Sequence, residues 1–345
     1  MFYIRDKTKK VKVGNIVIGG NNNVIVQSMT NTKTSNIKQT VNQIKQLFQL
    51  GCQLVRVSVL DKQDADSLTK IVKLSPCPIV ADIHFNGNFA LKAILANVAK
   101  IRINPGNLKN LKEFEKIIYE AKKNNVAIRI GINTGSLPEN IKTNSQIVNL
   151  VKKYILICKK NKFSNIILSV KSTSVQQTIE LNKLFAKHFN YPLHIGITEA
   201  GDLQTSCIRS TIVLTKLLKL GIGNTIRISI SGDPYDEPIV AKTILQENGF
   251  NVDLTKLISC PTCGRMQANT TKLLKVIKPY IDLNPKKITV AIMGCLVNGL
   301  NEAKNADIGI YGLKNKFVIY ANHKEIGIFD FNHTLKTFKS IYDVM

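Results

Sequence analysis

Up to about residue 240 the chain alternates between short apolar runs and longer stretches with helical periodicity. The runs are rich in Val and Ile and recur every 20 to 40 residues, which is the pattern of buried parallel strands. Between them, stretches such as IKQTVNQIKQLFQLG (37–51) and TSCIRSTIVLTKLLKLG (205–221) carry apolar residues at helical spacing, the second closed by a glycine suited to a helix C-cap. Eight strands are predicted, at residues 24–29, 54–59, 78–85, 100–106, 127–133, 165–172, 192–201 and 225–233.

Strands that alternate with helices form parallel sheets, which are either closed into a barrel or open and doubly wound. A doubly wound sheet of the Rossmann type carries a glycine-rich turn after its first strand. The residues that follow the first run, TNTKT (30–34), contain no glycine. We therefore predict a TIM (β/α)8 barrel over residues 1–250.

After about residue 250 the pattern changes. NTTKLLKVIKPY (269–280) predicts a helix, and the end of the chain predicts another. Between these helices, short strands with few residues separating them are predicted at residues 286–294, 306–312, 316–322 and 324–329. This order is typical of a small α+β domain, which we place at residues 255–345.

Composition favours a soluble cytoplasmic protein. The 345 residues are 44% apolar, yet no stretch of 18 consecutive apolar residues occurs, and the segment MFYIRDKTKK is charged where a secretory signal would be apolar. In the reducing cytoplasm, seven cysteines are not expected to form a disulfide framework. We therefore expect no membrane association and look for another role for the cysteines.

The formal net charge of +25 raises the alternative of a nucleic-acid-binding protein. The excess is spread out, with +20 up to residue 245 and +5 after it, and no arginine-rich tract or aromatic stacking platform is present. Scattered lysines usually form a solvated surface. We expect no specific nucleic-acid partner, and persistence of random RNA binding at physiological salt would contradict this.

Cationic residues lie between apolar neighbours in five of the predicted strands. Because side chains alternate across a strand, these cations face away from those neighbours and into the barrel if the apolar set packs on the helices. Buried cations without partners are costly, so the pattern favours a multiply charged phosphate ligand. The alternative is that some of them, Arg227 especially, form structural ion pairs. The cations are Arg56, Arg102, Arg129, Lys171 and Arg227, and the polar residues near the same strand ends are Asp82, His84, Asn104, Asn133, Glu199 and Ser229.

Three cysteines of the second predicted domain suggest a metal site. Cys260 and Cys263 are two residues apart in SCPTCGRMQAN (259–269), and Cys295 follows the VAIM strand, with Glu302 seven residues beyond it. A structural zinc would want a fourth Cys or His ligand that has no convincing candidate, whereas a 4Fe–4S cluster can leave one iron to another ligand such as a carboxylate. Glu302 can equally be an ordinary surface carboxylate. The other cysteines read as small core residues: Cys52, Cys77, Cys158 and Cys207.

Seven motifs together closely resemble the 4-hydroxy-3-methylbut-2-enyl diphosphate synthase family over about residues 26–310. They are VQSMT (26–30), DIHF (82–85), RINPGN (102–107), GITEAG (196–201), GIGNTIRIS (221–229), CPTCGR (260–265) and MGCLVNGLNEA (293–303). The resemblance implies a TIM barrel followed by a small 4Fe–4S domain, in a homodimer where the cluster domain of one subunit closes over the barrel of the other.

The resemblance also implies roles for individual residues. Glu199 and Asp82 would transfer protons, and the reaction would be the two-electron reductive ring opening and dehydration of 2-C-methyl-D-erythritol 2,4-cyclodiphosphate in isoprenoid biosynthesis, with electrons from flavodoxin or ferredoxin. The family usually has Pro-Gly before the glutamate ligand, where this chain has Leu300 and Asn301. The implied cluster ligands are Cys260, Cys263, Cys295 and Glu302, and the implied substrate ligands are Arg56, His84, Arg102, Arg129, Asn133, Lys171, Arg227 and Ser229.

Overall fold

A computed structural model of the protein describes residues 5–84, 86–108 and 110–345. The chain separates into two compact units, Met1–Asn251 and Val252–Met345. None of the helices in the described ranges combines the length and the apolar character needed to cross a bilayer.

The first unit contains a short antiparallel hairpin and an eight-stranded parallel sheet. The hairpin strands are β1 (Val11–Val13) and β2 (Ile16–Ile18). The eight strands are hydrogen-bonded in the order β8-β7-β6-β5-β4-β3-β10-β9, and a further bridge from Leu168 to Leu193 links β8 to the residue before β9, so the sheet curls into a nearly closed barrel. They are β3 (Ile25–Met29), β4 (Leu54–Val59), β5 (Ile79–Ile83), β6 (Lys100–Ile103), β7 (Ala127–Asn133), β8 (Ile166–Lys171), β9 (His194–Ile195) and β10 (Thr225–Ile226).

A helix follows each barrel strand, as the alternating pattern predicts. Most begin at a side chain that accepts a backbone N–H of the first turn, such as Asp61, Ser174 and Asp202. The helices are α1 (Ile37–Gln49), α2 (Lys62–Leu74), α3 (Gly87–Leu95), α4 (Leu111–Lys123), α5 (Asn144–Lys160), α6 (Val175–His188), α7 (Leu203–Lys219) and α8 (Asp236–Glu247), with short 3-10 turns at Arg5–Lys7 and Thr134–Ser136.

The hairpin plugs one end of the barrel. Val11, Val13 and Ile18 are fully buried and pack against the first inward-facing residues of the strands, among them Leu54 and Val80. The sequence pattern did not predict this hairpin, because its strands are three residues each and lack a long apolar run. Its packing gives the barrel an apolar floor at the amino ends of the strands, so the polar interior residues lie toward the carboxyl ends.

The second unit is a five-stranded sheet with helices on both faces. The strand order is β11-β12-β13-β14-β15, with the first three strands parallel and the last two joined as antiparallel hairpins. The strands are β11 (Lys256–Ser259), β12 (Thr289–Met293), β13 (Ile308–Leu313), β14 (Lys316–Ala321) and β15 (Lys324–Phe329), and the helices are α9 (Thr270–Leu283), α10 (Leu296–Asn305) and α11 (Phe331–Val344).

Helix α10 lies unusually close to the sheet. A Cβ on Gly309 would come within 2.0 Å of the carbonyl oxygen of Ala303, so only glycine fits beneath the helix at this point. Ala303 is fully buried against Met293 and Tyr311. This contact fixes the helix that begins immediately after Cys295 and carries Glu302.

Candidate functional site

The barrel interior above the apolar floor is lined by charged residues in register. Asp82, Arg102 and Arg129 are consecutive register partners on β5, β6 and β7, so their side chains form a row on one face of the sheet. Arg102 and Arg129 are only 4% and 2% exposed, which confirms that these strand cations point inward.

The predicted substrate residues converge at the carboxyl ends of the strands. A cavity of about 40 Å³ there is lined by Gly131, Ser169 and Thr198 together with seven of them: Arg56, Arg102, Arg129, Asn133, Lys171, Arg227 and Ser229. The eighth, His84, lies outside the lining but has its Nε2 3.3 Å from Nη1 of Arg102. The strand-end position of the cavity is where TIM-barrel enzymes bind their substrates.

Asp82 is the central counter-ion of the row. Its oxygens lie 3.1 Å from Nη1 of Arg102, 3.7 Å from Nη1 of Arg56 and 3.5 Å from Nε2 of His84. Burial alone would raise the pKa of Asp82, but Arg56 and Arg102 outweigh it and hold the pKa well below its usual value. A carboxylate kept ionised in this way holds cations in place and is a poor proton donor.

Arg227 also has a carboxylate partner. Its Nε and Nη2 donate to the two oxygens of Glu237 at 3.2 and 3.1 Å. Arg227 therefore forms the ion pair that the sequence analysis gave as the alternative to a ligand contact, and it also lines the cavity.

Arg129 and Lys171 differ from the other cations of the cavity. Neither forms an ion pair with a carboxylate in the described ranges, and Nε and Nη1 of Arg129 are buried without a hydrogen-bond partner there. Burial, reinforced by neighbouring cations, lowers the pKa of both side chains well below their usual values. Two donor-rich, uncompensated cations make this part of the cavity an anion site.

Gly131 leaves room for the arginines. A Cβ on this residue would lie 3.1 Å from Nε of Arg102 and 3.4 Å from Nε of Arg129, and the Gly131 carbonyl accepts from Nη2 of Arg102 at 3.1 Å. A larger residue here would push the guanidinium groups apart.

Glu199 follows the cavity residue Thr198 on the loop after β9. It is exposed, and its backbone adopts a φ of +50°, a left-handed conformation that costs a non-glycine residue energy. Such strain is concentrated at functional sites, where the surrounding structure maintains it.

A polar layer lies between the apolar floor and the cavity. Lys100 is fully buried, and its Nζ donates to Oε1 of Gln27 at 3.1 Å, with no carboxylate partner among the described residues. Burial, with Arg129 and Arg56 nearby, lowers the pKa of Lys100 well below its usual value. The neighbouring His194 contacts Thr225 through Nδ1 at 2.7 Å and leaves its buried Nε2 without a partner in the described structure.

In the second unit, the predicted cluster cysteines lie at the carboxyl ends of two adjacent parallel strands. Cys260 follows β11 and Cys295 follows β12, and the backbone N–H of Gly294 donates to Sγ of Cys260 at 3.0 Å. Cys263 is exposed, and a hydrogen bond from the backbone of Arg265 lowers its pKa, which favours the thiolate form that binds iron. Three free thiols on one strand edge are a donor set that fits a 4Fe–4S cluster.

Glu302 lies within α10 and is exposed. Seven residues of helix place its Cα about 10 Å along the axis from that of Cys295, on the same side of the helix. No group of three His, Cys, Asp or Glu side chains in the described part of the chain converges closely enough to hold a single metal ion.

The remaining cysteines differ in their chemistry. Cys52, Cys77 and Cys158 are buried in the barrel unit, and burial raises the pKa of all three thiols, that of Cys77 to about 11 and that of Cys158 to about 12. Cys207 is partly exposed, and burial raises its pKa as well. These thiols resist ionisation, in contrast to Cys263.

Two family models match the chain. The one described as the GcpE TIM-barrel domain matches residues 8–242, and the one described as the GcpE protein C-terminal domain matches residues 256–343. The chain belongs to the GcpE family.

Similar proteins carry one name. A protein of Malacoplasma penetrans named 4-hydroxy-3-methylbut-2-en-1-yl diphosphate synthase (flavodoxin) is 49% identical over 328 residues, which is 94% of this chain and 91% of that protein. A protein of the same name from Geobacillus thermodenitrificans is 45% identical over 326 residues, 93% of this chain and 87% of its own.

Solved structures of dihydropteroate synthases from Stenotrophomonas maltophilia and Yersinia pestis resemble the chain, with TM-scores of 0.52 and 0.51. They cover 71% and 69% of this chain and 100% and 98% of their own, at 10% and 11% identity. At this identity the likeness shows the fold alone.

Family membership confirms several predictions made from the sequence. These are the family itself, the TIM barrel followed by a further domain, the class of iron–sulfur oxidoreductase and the 4Fe–4S cofactor. Sequence reasoning missed Glu237, Lys100 and Gly131. Lys100 carried a usable signal, since it precedes Arg102 by two residues on the same face of β6, whereas Glu237 lies on a helix and had none.

We predict that Lys100→Met raises the midpoint of thermal unfolding at pH 7 and that this gain shrinks as the pH approaches 10. The unfolded chain protonates Lys100 below its ordinary pKa of about 10.4, whereas the folded protein resists protonation, so the lysine destabilises the fold increasingly as pH falls. Thermal unfolding between pH 7 and 9.5 measures the difference. The exposed Lys123→Met is the control, and an equal shift at every pH for Lys100→Met would contradict the prediction.

Proposed function

We propose that the barrel cavity of the first unit binds the cyclic diphosphate and that the cysteines of the second unit carry the cluster that reduces it. The reaction itself follows from family membership: the chain is an iron–sulfur oxidoreductase that converts 2-C-methyl-D-erythritol 2,4-cyclodiphosphate to 4-hydroxy-3-methylbut-2-enyl diphosphate. The observation that carries the residue assignment is the convergence of seven predicted side chains on one cavity that holds two unpaired cations.

The charges of the cavity support diphosphate binding. Arg56 and Arg102 both pair with Asp82, whereas Arg227 pairs with Glu237. Arg129 and Lys171 are therefore left to neutralise the charge of the ligand. Guanidinium groups donate two parallel hydrogen bonds to phosphate oxygens, and Asn133 and Ser229 add neutral donors at the cavity edge. We infer that Arg129 and Lys171 make the strongest contacts, because binding relieves their unpaired charge.

Cys260, Cys263 and Cys295 would hold three irons of the cluster, and Glu302 is our proposed fourth ligand. When bound, the cluster supplies the single low-potential electrons that side chains cannot provide. The residues of this chain would hold the cluster: the three thiolates would anchor it, and the exposed carboxylate of Glu302 would be the more labile ligand.

The overall reaction consumes two electrons and two protons and releases one water. We assign proton delivery to the departing hydroxyl to Glu199, which stands exposed beside the cavity residue Thr198. Asp82 was also placed for proton transfer by the sequence motifs, but its ion pairs suit it to orienting Arg56 and Arg102.

The electron donor that we propose is flavodoxin, the carrier that the relatives' name states, rather than ferredoxin. Such carriers are commonly acidic, and the net charge of +25 would steer them to this protein. We place the reaction in the cytoplasm, where the seven thiols stay reduced.

We also propose that the protein is a homodimer with shared active sites. Each chain has a substrate domain (1–250) and a cluster domain (255–345), and each active site combines the substrate domain of one chain with the cluster domain of the other. Helix α8 runs antiparallel to β10, so it ends on the barrel face opposite the cavity. From there, residues 248–255 lead to β11 and span at most about 28 Å when fully extended. A neighbouring barrel in a symmetric dimer is an easier cavity to cover than the chain's own.

Replacing an unpaired arginine and replacing a paired one should change the stability of the fold in opposite directions. Arg129→Met and Arg102→Met should each raise KM for the cyclic diphosphate at least about tenfold, because a charge-assisted contact is lost. Arg129→Met should also raise the midpoint of thermal unfolding, since it removes an unpaired buried charge. Arg102→Met should lower it, because Asp82 loses its nearest cation and keeps Arg56 at 3.7 Å and His84 at 3.5 Å. An unchanged KM in both variants would show that neither arginine contributes to substrate binding.

Each of Cys260→Ser, Cys263→Ser and Cys295→Ser should abolish the visible absorbance of the anaerobically purified protein together with activity, as each removes one thiolate. Iron and sulfide determination checks this, with Cys158→Ser in the barrel core as the control that retains the cluster. Glu302→Ala should keep most of the iron but lose turnover. A cysteine variant with a full complement of iron and sulfide would mean that the residue is not a ligand.

Mixing two inactive chains tests the shared sites. A heterodimer of Cys295→Ser and Glu199→Gln chains contains one barrel with intact Glu199 that faces an intact cluster, if each cluster domain serves the partner's barrel. Activity should recover toward half of the wild-type level per heterodimer. Background activity, after subunit exchange has been verified by mass spectrometry of tagged chains, would show that each chain serves itself.

A further inference from the structure

Glu237 is a buried carboxylate beside the cavity that takes no part in the roles described so far. It lies in the first turn of α8 and is 2% exposed, and it is not among the residues that line the cavity. Buried carboxylates persist where their oxygens are fully hydrogen-bonded to groups that matter for the fold or the site.

Four donors surround its two oxygens. Oε2 accepts from Oγ of Ser28 at 2.6 Å and from Nε of Arg227 at 3.2 Å. Oε1 accepts from Nη2 of Arg227 at 3.1 Å and from the backbone N–H of Ile230 at 3.3 Å. The carboxylate thus grips one edge of the guanidinium and is itself fixed by β3 and by the loop after β10.

This grip determines which edge of Arg227 remains available. Nε–H and one N–H of Nη2 are bonded to Glu237, and Nη1 contacts only the thioether sulfur of Met29 at 3.6 Å, a weak acceptor, among the described residues. Because Arg227 also lines the cavity, its Nη1 and the second N–H of Nη2 are the donors left for ligand oxygens.

The backbone alone would not hold Arg227 in this way. The backbone N–H of Arg227 donates to the carbonyl of Ile195 at 3.2 Å, which fixes the main chain at the end of β10 but not the side-chain rotamer. A long side chain at the end of such a short strand has many rotamers, and the bidentate contact to Glu237 selects one of them.

We propose that Glu237 is a positioning residue for substrate binding, which holds the Arg227 guanidinium with its Nη1 and Nη2 end directed to the diphosphate. This inference rests on the proposed function of the cavity. It differs from a merely structural ion pair in one respect: Glu237 affects substrate affinity only through Arg227.

A double-mutant cycle tests this with Glu237→Gln, Arg227→Met and the double variant. Glutamine keeps the shape of Glu237 but turns an NH2 group toward a donor of Arg227 or Ser28. The Kd for 2-C-methyl-D-erythritol 2,4-cyclodiphosphate is measured by calorimetry on the anaerobic, oxidised holoenzyme, which does not turn over. Each single variant should weaken binding about tenfold or more, and the double variant should bind no more weakly than Arg227→Met alone.

Thermal unfolding gives a second readout, because the effect of Glu237→Gln on the unfolding midpoint should have opposite signs in the wild type and in the Arg227→Met variant. Glu237→Gln should lower the unfolding midpoint in the wild type, where it strips Arg227 of its partner, and raise it in the Arg227→Met background, where it removes an unpaired buried carboxylate. The double variant leaves neither partner charged, so it stays foldable even if a single variant does not. Glu113→Gln is the control, because Glu113 is a partly buried helix carboxylate that accepts the backbone N–H of Gly87 at the start of α3 at 2.9 Å; the Kd of this variant should stay within twofold of wild type.

The outcomes separate the two proposals. Losses in affinity that multiply in the double variant, or an unchanged Kd in Glu237→Gln, would overturn the positioning role while the cavity remains the substrate site. Failure of the wild-type holoenzyme to bind the cyclic diphosphate would overturn the proposed function, and this inference with it.

Discussion

An excess of positive charge inside the barrel is the constraint on which the rest of the site depends. Five cationic side chains line the cavity, and the described structure brings two carboxylates, Asp82 and Glu237, within ion-pair distance of them. Self-repulsion of this kind destabilises a fold unless a ligand supplies the missing negative charge. The protein therefore carries, in its free state, an electrostatic cost that an anionic substrate relieves. The cations are Arg56, Arg102, Arg129, Lys171 and Arg227.

The fold distributes these charges in a definite way. Register partners on neighbouring strands bring Asp82, Arg102 and Arg129 to one level, and Gly131 provides the space that two guanidinium groups need. Below them, the hairpin plug keeps water away from the floor, so the charges retain their strength in a low-dielectric interior. Asp82 and Glu237 fix the cations that they pair with and leave Arg129 and Lys171 without a counter-ion. The paired cations therefore give the cavity its rigidity, and the unpaired ones give it its attraction for an anion.

The sequence predicted the cations but not their partners, for a physical reason. Period-two alternation places Arg102 and Arg129 inside the barrel from local pattern alone. Glu237, by contrast, reaches the same site from a helix ten residues after Arg227, and no local periodicity relates the two. The hairpin β1–β2 and strand β11 were missed because three or four residues give too short a pattern. Helix α10 was missed because the glycine-containing stretch after Cys295 looks like a loop, whereas packing of Ala303 on Gly309 makes it a helix.

Ring opening places a further demand on the same charges. Cleavage of the cyclic diphosphate frees a terminal phosphate oxygen, so the product can carry more negative charge than the substrate. If the cavity binds the cyclic diphosphate as proposed, Arg129 and Lys171 would attract the product at least as strongly as the substrate, and tight product binding slows turnover. The ion pairs of Arg56, Arg102 and Arg227 moderate this, because a guanidinium that already shares a carboxylate gains less from an added charge. On this proposal, Asp82 and Glu237 would favour product release as well as fix the cations in place.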